Sequence, residues 1–241
     1  MAISIDTSLS LAYSGSGVTS YTRSFTTSGT ERYLLVYIND FSGNNQTGCT
    51  YNGTSMTLLN TPIMVGSIYQ YVYGLANPAS GAHDIVYSRS SSTSIIGMSA
   101  VSINGAKQTT SPVDAVNTAT AGSVTSLDIN LTTIADNSAV FVFSYTNNAN
   151  IAASTNLTEV VGDSGFDLGI ICRSTTFPKT PAGLQTYTTT ASSGDMGSIA
   201  VSIAPPGGLN TVKTWDNIAI ANVKTVNGVA IGNVKSINGK T

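Results

Sequence analysis

Apolar residues along this chain come in short runs, and almost no stretch shows the 3.6-residue period of an amphipathic helix. The runs either alternate with polar residues or are continuous, and Gly, Asn, Ser and Thr separate them. This pattern is typical of β-strands. The clearest candidates are Arg32–Ile38, Ser67–Leu75, His83–Ser88, Ile95–Ile103, Ala139–Tyr145 and Gly197–Ile203. Strands so short and numerous predict an all-β fold, a jelly-roll-like β-sandwich.

The sequence of the predicted body repeats itself once. The stretch "VTSYTRSFTTSGTERYLLVYI" (Val18–Ile38) parallels "VTSLDINLTTIADNSAVFVFS" (Val124–Ser144), and both copies later end on Ala-Val-Ser-Ile. We therefore expect a β-sandwich body over residues 1–205, built from two quasi-repeated halves at about 17–105 and 123–204. The halves could be two small sandwiches or parts of one larger sandwich. The connecting residues 103–122 do not have the composition of a flexible linker, which favours one body.

A Pro-Pro-Gly-Gly sequence at residues 205–208 marks a boundary, because it fixes the backbone twice and then frees it twice. Beyond it, residues 206–241 carry an 11-residue repeat. "VKTVNG" (Val223–Gly228) returns as "VKSING" (Val234–Gly239), and Val212–Asn217 is a degenerate upstream copy. This pattern predicts a small C-terminal β-repeat segment, separate from the body.

The repeat contains Asn227-Gly228 between apolar residues, the strongest short signal for a β-hairpin. A turn there pairs Val226 with Val229, and the same register carried outward pairs Ile218 with Ile237 and Ile220 with Lys235. Such a sheet is apolar on both faces, and a few short strands bury too little area to be stable alone. We therefore predict an oligomerisation or anchoring element. Its apolar residues are Trp215, Ile218, Ile220, Val223, Val226, Val229, Ile231, Val234 and Ile237. The alternative is that the segment forms ordinary edge strands of the body.

The charge content of the chain argues against several classes of partner. Only 9% of residues are charged, the net charge is −2, and the ten Lys and Arg residues are scattered. No basic stripe for a phosphate backbone results, so we expect no nucleic-acid partner. No apolar run is long enough to span a bilayer, so we expect no membrane insertion. The first residues lack a basic region and an apolar core, so we expect no signal peptide. Abundant Ser and Thr predict a surface that faces the outside of a cell.

Motifs for catalysis or metal binding are absent from the sequence. The single histidine, His83, lies beside Asp84 but has no nucleophile motif to complete a triad, and we interpret it as a surface residue. Asp163 and Asp167 in a Gly-rich stretch could ligate calcium, but a plain turn is favoured. A hydrolase would need paired carboxylates, which no motif supports. We expect no cofactor, no metal and no enzymatic activity. Cys49 and Cys172 are favoured as two buried apolar residues over one disulfide bridge.

Three tyrosines alternate along one predicted strand. Tyr69, Tyr71 and Tyr73 should lie on one face of it, while Ile68 and Val72 lie on the other. Tyrosine combines an apolar ring with a polar hydroxyl, which suits stacking on sugars. These residues are therefore possible ligand-binding residues. A half-exposed tyrosine stripe at a strand or protomer interface is an equally good interpretation.

Two parts of the sequence resemble proteins of bacteriophage particles. The segments "RYLLVYINDFSGNNQTGCTYNGTSMTLLN", "YVYGLANPASGAHDIVYS" and "VSINGAKQTTSPVDA" resemble a β-sandwich module of phage structural proteins and bacterial surface proteins, over most of residues 17–205. In the last of them, an Ala stands where a bulkier apolar residue is common. The C-terminal repeat is similar to short repeats at one end of phage virion proteins.

The resemblance implies a non-enzymatic virion component, such as a head fibre, a capsid decoration protein or a tail-associated protein. It further implies a location on the surface of the extracellular particle, with other virion proteins as partners. A homo-oligomer, most often a trimer, is the usual assembly of such fibres. The alternative function is a carbohydrate-binding or adhesin module of a phage tail or bacterial cell surface, with a host-surface glycan as ligand.

Overall fold

The computed structural model describes residues 3–41, 43–93, 95–108, 112–147, 150–153, 156–162, 169–178 and 181–206, and the tail pairs 214–215, 218–219, 225–226 and 229–230. Every regular element in this part of the chain is a β-strand, so the predicted all-β class is confirmed. The chain divides into two compact units, Met1–Pro206 and Gly207–Thr241, which we call the body and the tail.

The first half of the body forms two antiparallel sheets. Its strands are β1 (Ser4–Tyr13), β2 (Val18–Thr27), β3 (Tyr33–Asp40), β4 (Gln46–Tyr51), β5 (Thr54–Ser55), β6 (Thr57–Leu58), β7 (Ile63–Val65), β8 (Ile68–Ala76), β9 (Gly81–Thr93) and β10 (Ile96–Asn104). One sheet has the order β1-β10-β3-β8-β6, with β7 also paired to β8, and we call it the first inner sheet. The other has the order β2-β9-β4-β5 and is the first outer sheet.

The second half achieves the same arrangement with fewer, longer strands. They are β11 (Val113–Thr133), β12 (Ala139–Thr146), β13 (Ile151–Ala153), β14 (Leu157–Gly162), β15 (Gly169–Ser174) and β16 (Gly183–Ile203). The order is β11-β16-β12-β15-β14, with β13 also paired to β16. β11 and β16 pair along their lengths, and their register shifts between Ala121 and Ser126. On one side of this shift they continue the sheet of β12, the second inner sheet. On the other side they form an outer layer with β13.

Three buried hydrophobic clusters in the described residues separate four layers of strands. One lies between the two inner sheets, with Tyr37 on one side and Phe143 on the other. The second fills the first half, between its inner and outer sheets. The third fills the second half, where Leu127 and Ile129 of the outer layer pack with Val142. The central strands of both inner sheets are therefore covered on both faces, and all eight positions of β3 and of β12 are buried. Continuous apolar runs are expected for strands in this position.

The two halves agree in register as well as in sequence. Tyr33 pairs with Ile103 in the first half, and Ala139 pairs with Ile203 in the second. Two aspartates accept equivalent hydrogen bonds in the two halves. Asp6 accepts one from the backbone N–H of Ser28, and Asp114 accepts one from that of Ile134, both at 2.7 Å. The body is thus two sandwiches stacked through their inner sheets. β1 and the first part of β11 precede the ranges in which the sequence repeat is recognisable.

Backbone hydrogen bonds hold the connection between the halves in place. The Lys107 N–H donates to the Ala204 carbonyl at 2.9 Å, and the Ala204 N–H donates to the Pro112 carbonyl at 2.7 Å. Ala106 is fully buried, and its N–H donates to the Glu31 carbonyl. The described residues on both sides of positions 109–111 are therefore bonded to the body.

The described residues of the tail form two short hairpins. β17 (Thr214–Trp215) pairs with β18 (Ile218–Ala219), and β19 (Thr225–Val226) pairs with β20 (Val229–Ala230). The predicted pairing of Val226 with Val229 is confirmed. Ile218 pairs with Trp215, and its predicted partner Ile237 lies outside the described residues. Closing a two-residue turn orders far less chain than joining distant residues, so each repeat folds locally. Ile220, Val223, Ile231, Val234, Ile237 and Lys235 lie outside the described residues.

Candidate functional site

The tyrosine stripe of β8 lies on one face of the strand, but that face points into the first sandwich. Tyr71 is 0% exposed, Tyr73 is 2% exposed, and only Tyr69 is half-buried. Alternation along a strand fixes which side chains share a face, but it does not say whether a second sheet covers that face. Tyr71 and Tyr73 therefore present no ring to a ligand, and Tyr69 alone keeps a partly exposed one.

Tyr71 and Tyr73 belong to a group of three tyrosines, completed by Tyr87 of β9. The ring centroids of the three pairs lie 6.1 to 6.4 Å apart. The Tyr87 hydroxyl donates a hydrogen bond of 2.8 Å to Oδ2 of Asp40, the last residue of β3. An aromatic layer therefore surrounds a carboxylate inside the first sandwich.

The charge of Asp40 is balanced by Arg89 of β9. Arg89 Nε lies 3.2 Å from Asp40 Oδ2, and both side chains are fully buried. Removing two charges from water is costly, and replacing a buried ion pair by apolar residues is often neutral or stabilising. A buried pair in a chain with so few charges is therefore weak evidence for stability and suggests another purpose. We call Asp40, Arg89, Tyr71, Tyr73 and Tyr87 the buried polar cluster.

The buried polar cluster contacts one loop of the body, residues 43–46, which we call the amide loop. Tyr71 donates from its hydroxyl to Asn44 Oδ1, and Tyr73 donates to Gln46 Oε1, both at 2.9 Å. Arg89 Nη2 donates to the Gly43 carbonyl at 3.4 Å. From the side, the Ser90 N–H donates to the Asn45 carbonyl at 2.9 Å. The loop is thus held from below by three side chains of the cluster.

The amide oxygens of Asn44 and Gln46 fix the direction of the hydrogen bonds to the loop, because an amide oxygen can only accept. Burial raises the pKa of Tyr71 and of Tyr73 well above the ordinary tyrosine value. For Tyr87, burial is again the largest cause, and the neighbouring Asp40 carboxylate raises the pKa further. All three hydroxyls therefore stay protonated. Because the Tyr71 and Tyr73 hydroxyls donate to the amide oxygens of Asn44 and Gln46, the NH₂ donors of both amides are left on the other side of each group.

The second half provides an internal comparison, because its register is the same. Ile38 pairs with Tyr71 in the first half, and Ser144 pairs with Ile170 in the second. The full set of equivalent residues follows from such pairs: Thr146 for Asp40, Ala191 for Arg89, Ile170 for Tyr71, Cys172 for Tyr73 and Thr189 for Tyr87. None of these is charged or aromatic. The sandwich fold therefore does not require the buried polar cluster.

The surface around the amide loop is polar and uncharged. Asn44, Asn45 and Thr47 are exposed, and so are three serines at residues 90–92 of the neighbouring strand. The register of β4 and β9 shifts between Gln46 and Gly48, which marks a β-bulge beside the loop. Bulges often redirect side chains next to functional sites. The structure thus gathers amide and hydroxyl groups at one end of the first sandwich.

A shallow groove of about 500 Å³ forms a second candidate site, on the outer face of the first outer sheet. Its lining includes Thr50, Asn52, His83 and Asp84. The His83 ring stands edge-on to Tyr51 with centroids 5.6 Å apart, and its Nε2 lies 3.1 Å from the Ser80 carbonyl oxygen. The His83 imidazole is therefore held by packing and by a backbone contact. It is half-buried, and the interpretation of His83 as an ordinary surface residue is corrected accordingly.

The sequence also singled out two cysteines and two aspartates. Cys49 and Cys172 are both buried and not bonded to each other, and burial raises the pKa of each thiol to about 12. Asp163 and Asp167 lie outside the described residues. Among the described residues, no three His, Cys, Asp or Glu side chains form a group that could hold a metal ion. No helix in the described part of the chain is long and apolar enough to cross a membrane.

Sequence reasoning missed Asp40 and Arg89. The two residues are far apart in the chain, and each comes directly after a segment with strand-like sequence, "YLLVYIN" before Asp40 and "HDIVYS" before Arg89. In a chain with few charges, a charged residue directly after such a segment is the signal that could have identified them. Comparison with protein-family models, with curated proteins and with solved structures finds no match.

Proposed function

We propose that this protein is a non-enzymatic structural component of a phage virion. In this proposal, the body is the exposed part, and the tail joins copies of the chain and attaches them to the particle. The observation that carries the proposal is the repetition of the tail hairpins. Trp215 pairs with Ile218, and eleven positions later Val226 pairs with Val229, in a unit separate from the body.

The size of the hairpins is the physical reason for assembly. Each described hairpin has only two residue pairs, and the pair beside each turn is apolar. An isolated hairpin is marginal in water even at greater length, because its burial does not offset the entropy lost on ordering the backbone. We infer that other copies of the chain cover these apolar residues. We take the assembly to be a trimer, the state that the resemblance implies.

The body supplies the exposed part of the proposed particle component. Its polar surface relies on hydroxyl and amide groups, since only 9% of the chain is charged. Its two stacked sandwiches bury the central strands of the inner sheets on both faces, so the outer layers and the edge strands β1 and β14 contact solvent. A rigid, neutral body on an associating tail is well suited to a passive surface component.

A pair of charge substitutions in the tail tests the proposal. We expect Val226→Asp together with Val229→Asp to lower the mass of the full-length assembly to that of one chain, because two carboxylates cannot be buried unpaired. Sedimentation equilibrium measures this mass. The matched control adds the same charge to an exposed strand of the body, with Thr22→Asp and Ser24→Asp, and should leave the mass unchanged. An assembly that survives the tail substitutions would refute the proposed role of the hairpins.

The carbohydrate-binding alternative is favoured by one observation, the polar loop held rigidly by the buried polar cluster. The tyrosine stripe does not support it in its original form, since two of the three rings are in the core. A surface component that also contacts a glycan combines the two functions.

A further inference from the structure

We propose that the amide loop is a binding site for neutral carbohydrate, with Asn44 and Gln46 as its hydrogen-bond donors and Tyr69 as its aromatic surface. The proposal goes beyond a structural role and does not depend on the tail. It rests on the hydrogen bonds that hold the loop, on the chemistry of its exposed groups and on the contrast with the second half.

The amide groups of Asn44 and Gln46 are oriented by the buried tyrosines. A surface Asn or Gln side chain normally rotates freely, and ordering it on binding has an entropic cost. Here the carbonyl oxygens of Asn44 and Gln46 each accept a hydrogen bond from a buried tyrosine. Their NH₂ groups are therefore oriented before any ligand arrives. Two oriented donors suit the hydroxyl oxygens of a sugar, which accept hydrogen bonds.

The exposed groups around the amide loop indicate the class of ligand. Residues 43–47 and 90–92 contain no charged side chain, the adjacent Arg89 is buried, and the segments consist of Gly, amide and hydroxyl residues. A nucleic acid or another anionic partner would need basic groups here. A protein partner would need large apolar or aromatic anchors at the centre of the contact. A neutral sugar needs hydroxyl and amide partners, which these segments provide.

Tyr69 provides a partly exposed aromatic ring at the same end of the first sandwich. Tyr69 pairs in register with Asp40, so it lies at the same end of the first sandwich as the amide loop. It packs on the edge of the core and is half-buried, whereas Tyr71 and Tyr73 are covered. A ring that is packed against the core on one side and partly exposed on the other can stack on the apolar face of a sugar. The three tyrosines thus divide into one proposed contact residue and two positioning residues.

The second half has no counterpart of the buried polar cluster at the equivalent positions. The fold there is built without an ion pair or a tyrosine group at the equivalent positions. A buried Asp–Arg pair and three buried hydroxyls must each be satisfied to avoid a penalty, so they are poor choices for stability alone. Holding one loop in one conformation explains why only the first half has them.

The experiment uses the full-length protein on an array of neutral and anionic oligosaccharides, followed by titration of the best neutral oligosaccharide. We expect binding to neutral members. Asn44→Ala should weaken it at least about tenfold, since a lost hydrogen bond of about 1.4 kcal/mol corresponds to that factor. Tyr69→Ala should also weaken it. The matched control, Asn150→Ala at an exposed asparagine of the second half, should bind like the wild type.

The positioning role of Tyr71 needs a separate measurement. We expect Tyr71→Phe to weaken binding and to change the side-chain NH₂ resonances of Asn44 in an NMR spectrum, while those of Asn150 stay the same. A merely structural role would disturb neither signal selectively. Slow thiol labelling of buried Cys49 confirms that each variant is folded.

Two results would overturn the proposal. The first is a folded wild-type protein that binds no neutral oligosaccharide on the array. The second is binding that Asn44→Ala leaves intact. If Asp84→Ala removes that binding, the ligand lies in the groove beside His83 instead.

Discussion

The two sandwiches of the body have the same strand order and register, but their cores have different chemistry. The core of the first encloses Asp40, Arg89 and three tyrosines. At equivalent positions, the core of the second is filled by small, aliphatic and hydroxyl residues such as Ile170 and Thr189. Ser144 and Ser198 form a buried hydrogen bond of 2.7 Å there, without any charge.

This difference separates the residues that specify the fold from those that serve another purpose. Both halves keep the apolar inner strands, the turn positions and the aspartates at residues 6 and 114. Those shared features are sufficient for a sandwich. Tyr71, Tyr73 and Arg89 contact the amide loop, and Asp40 pairs with Arg89, so we interpret these groups as residues that position the loop.

The largest effect is expected from removing one partner of the buried ion pair. Asp40→Ala leaves the Arg89 charge buried without its carboxylate, which should lower the free energy of unfolding by about 3–5 kcal/mol. The equivalent change in the second half, Thr146→Ala, should lower it by only about 1 kcal/mol, because the Thr146 hydroxyl has no hydrogen-bond partner among the described residues. Urea unfolding of the two variants measures both values.

Replacing both partners sharpens the same comparison. Asp40→Thr with Arg89→Ala gives the first half the residues of the second. We expect the double variant to lose less unfolding free energy than the sum of the losses in the two single variants, by about 1–3 kcal/mol. Cys49 and Cys172, one in each sandwich core, report which half has loosened through their rates of thiol labelling. Equal acceleration of both thiols in Asp40→Ala would show that the cluster supports the whole body.

A second effect is expected at high pH. Burial raises the pKa of Tyr71 and Tyr73 in the folded state above the unfolded value of about 10. Their stabilising contribution is therefore complete below about pH 10 and is lost as the pH rises towards the folded-state values. At pH 11, each should account for about 1.4 kcal/mol of lost stability. The double variant Tyr71→Phe and Tyr73→Phe should lose correspondingly less between pH 8 and pH 11 in urea unfolding. The same loss as in the wild type would contradict this account.

The smallest effect is expected from single hydroxyl removal at neutral pH. Tyr73→Phe breaks the hydrogen bond to Gln46 and should lower the free energy of unfolding by about 1 kcal/mol. Its local effect should be clearer than the global one. Hydrogen exchange should become faster at the amides of residues 43–47 and stay unchanged at residues 150–153 of the second half. Uniform exchange in both regions would show that the tyrosine does not act on the loop.

Much of the fold could be predicted from the sequence. The apolar runs at β3, β10 and β12 are continuous because both faces of these strands are buried, and each run predicts its strand correctly. β1 and β11 are largely half-exposed and rich in Ser and Thr, so their pattern is weaker. Continuous runs indicate that the inner sheets are covered on both faces, but they do not show that this covering comes from the stacking of two sandwiches.

The candidate site was less predictable, because it depends on which surfaces meet. The alternation of Tyr69, Tyr71 and Tyr73 gave their common face but not its burial. Asp40 and Arg89 meet only through the packing of separate sheets, which no local pattern encodes. In the tail, the pairing of Val226 with Val229 was predictable from the Asn-Gly turn signal.

The central claim is that the tail associates and the body does not. The most direct test compares the mass of the full-length chain with that of residues 1–206 by sedimentation equilibrium. The account predicts a full-length assembly of three chains, and a truncated protein that remains folded and has the mass of one chain. Equal association states for the two proteins, whether both monomeric or both trimeric, would contradict it.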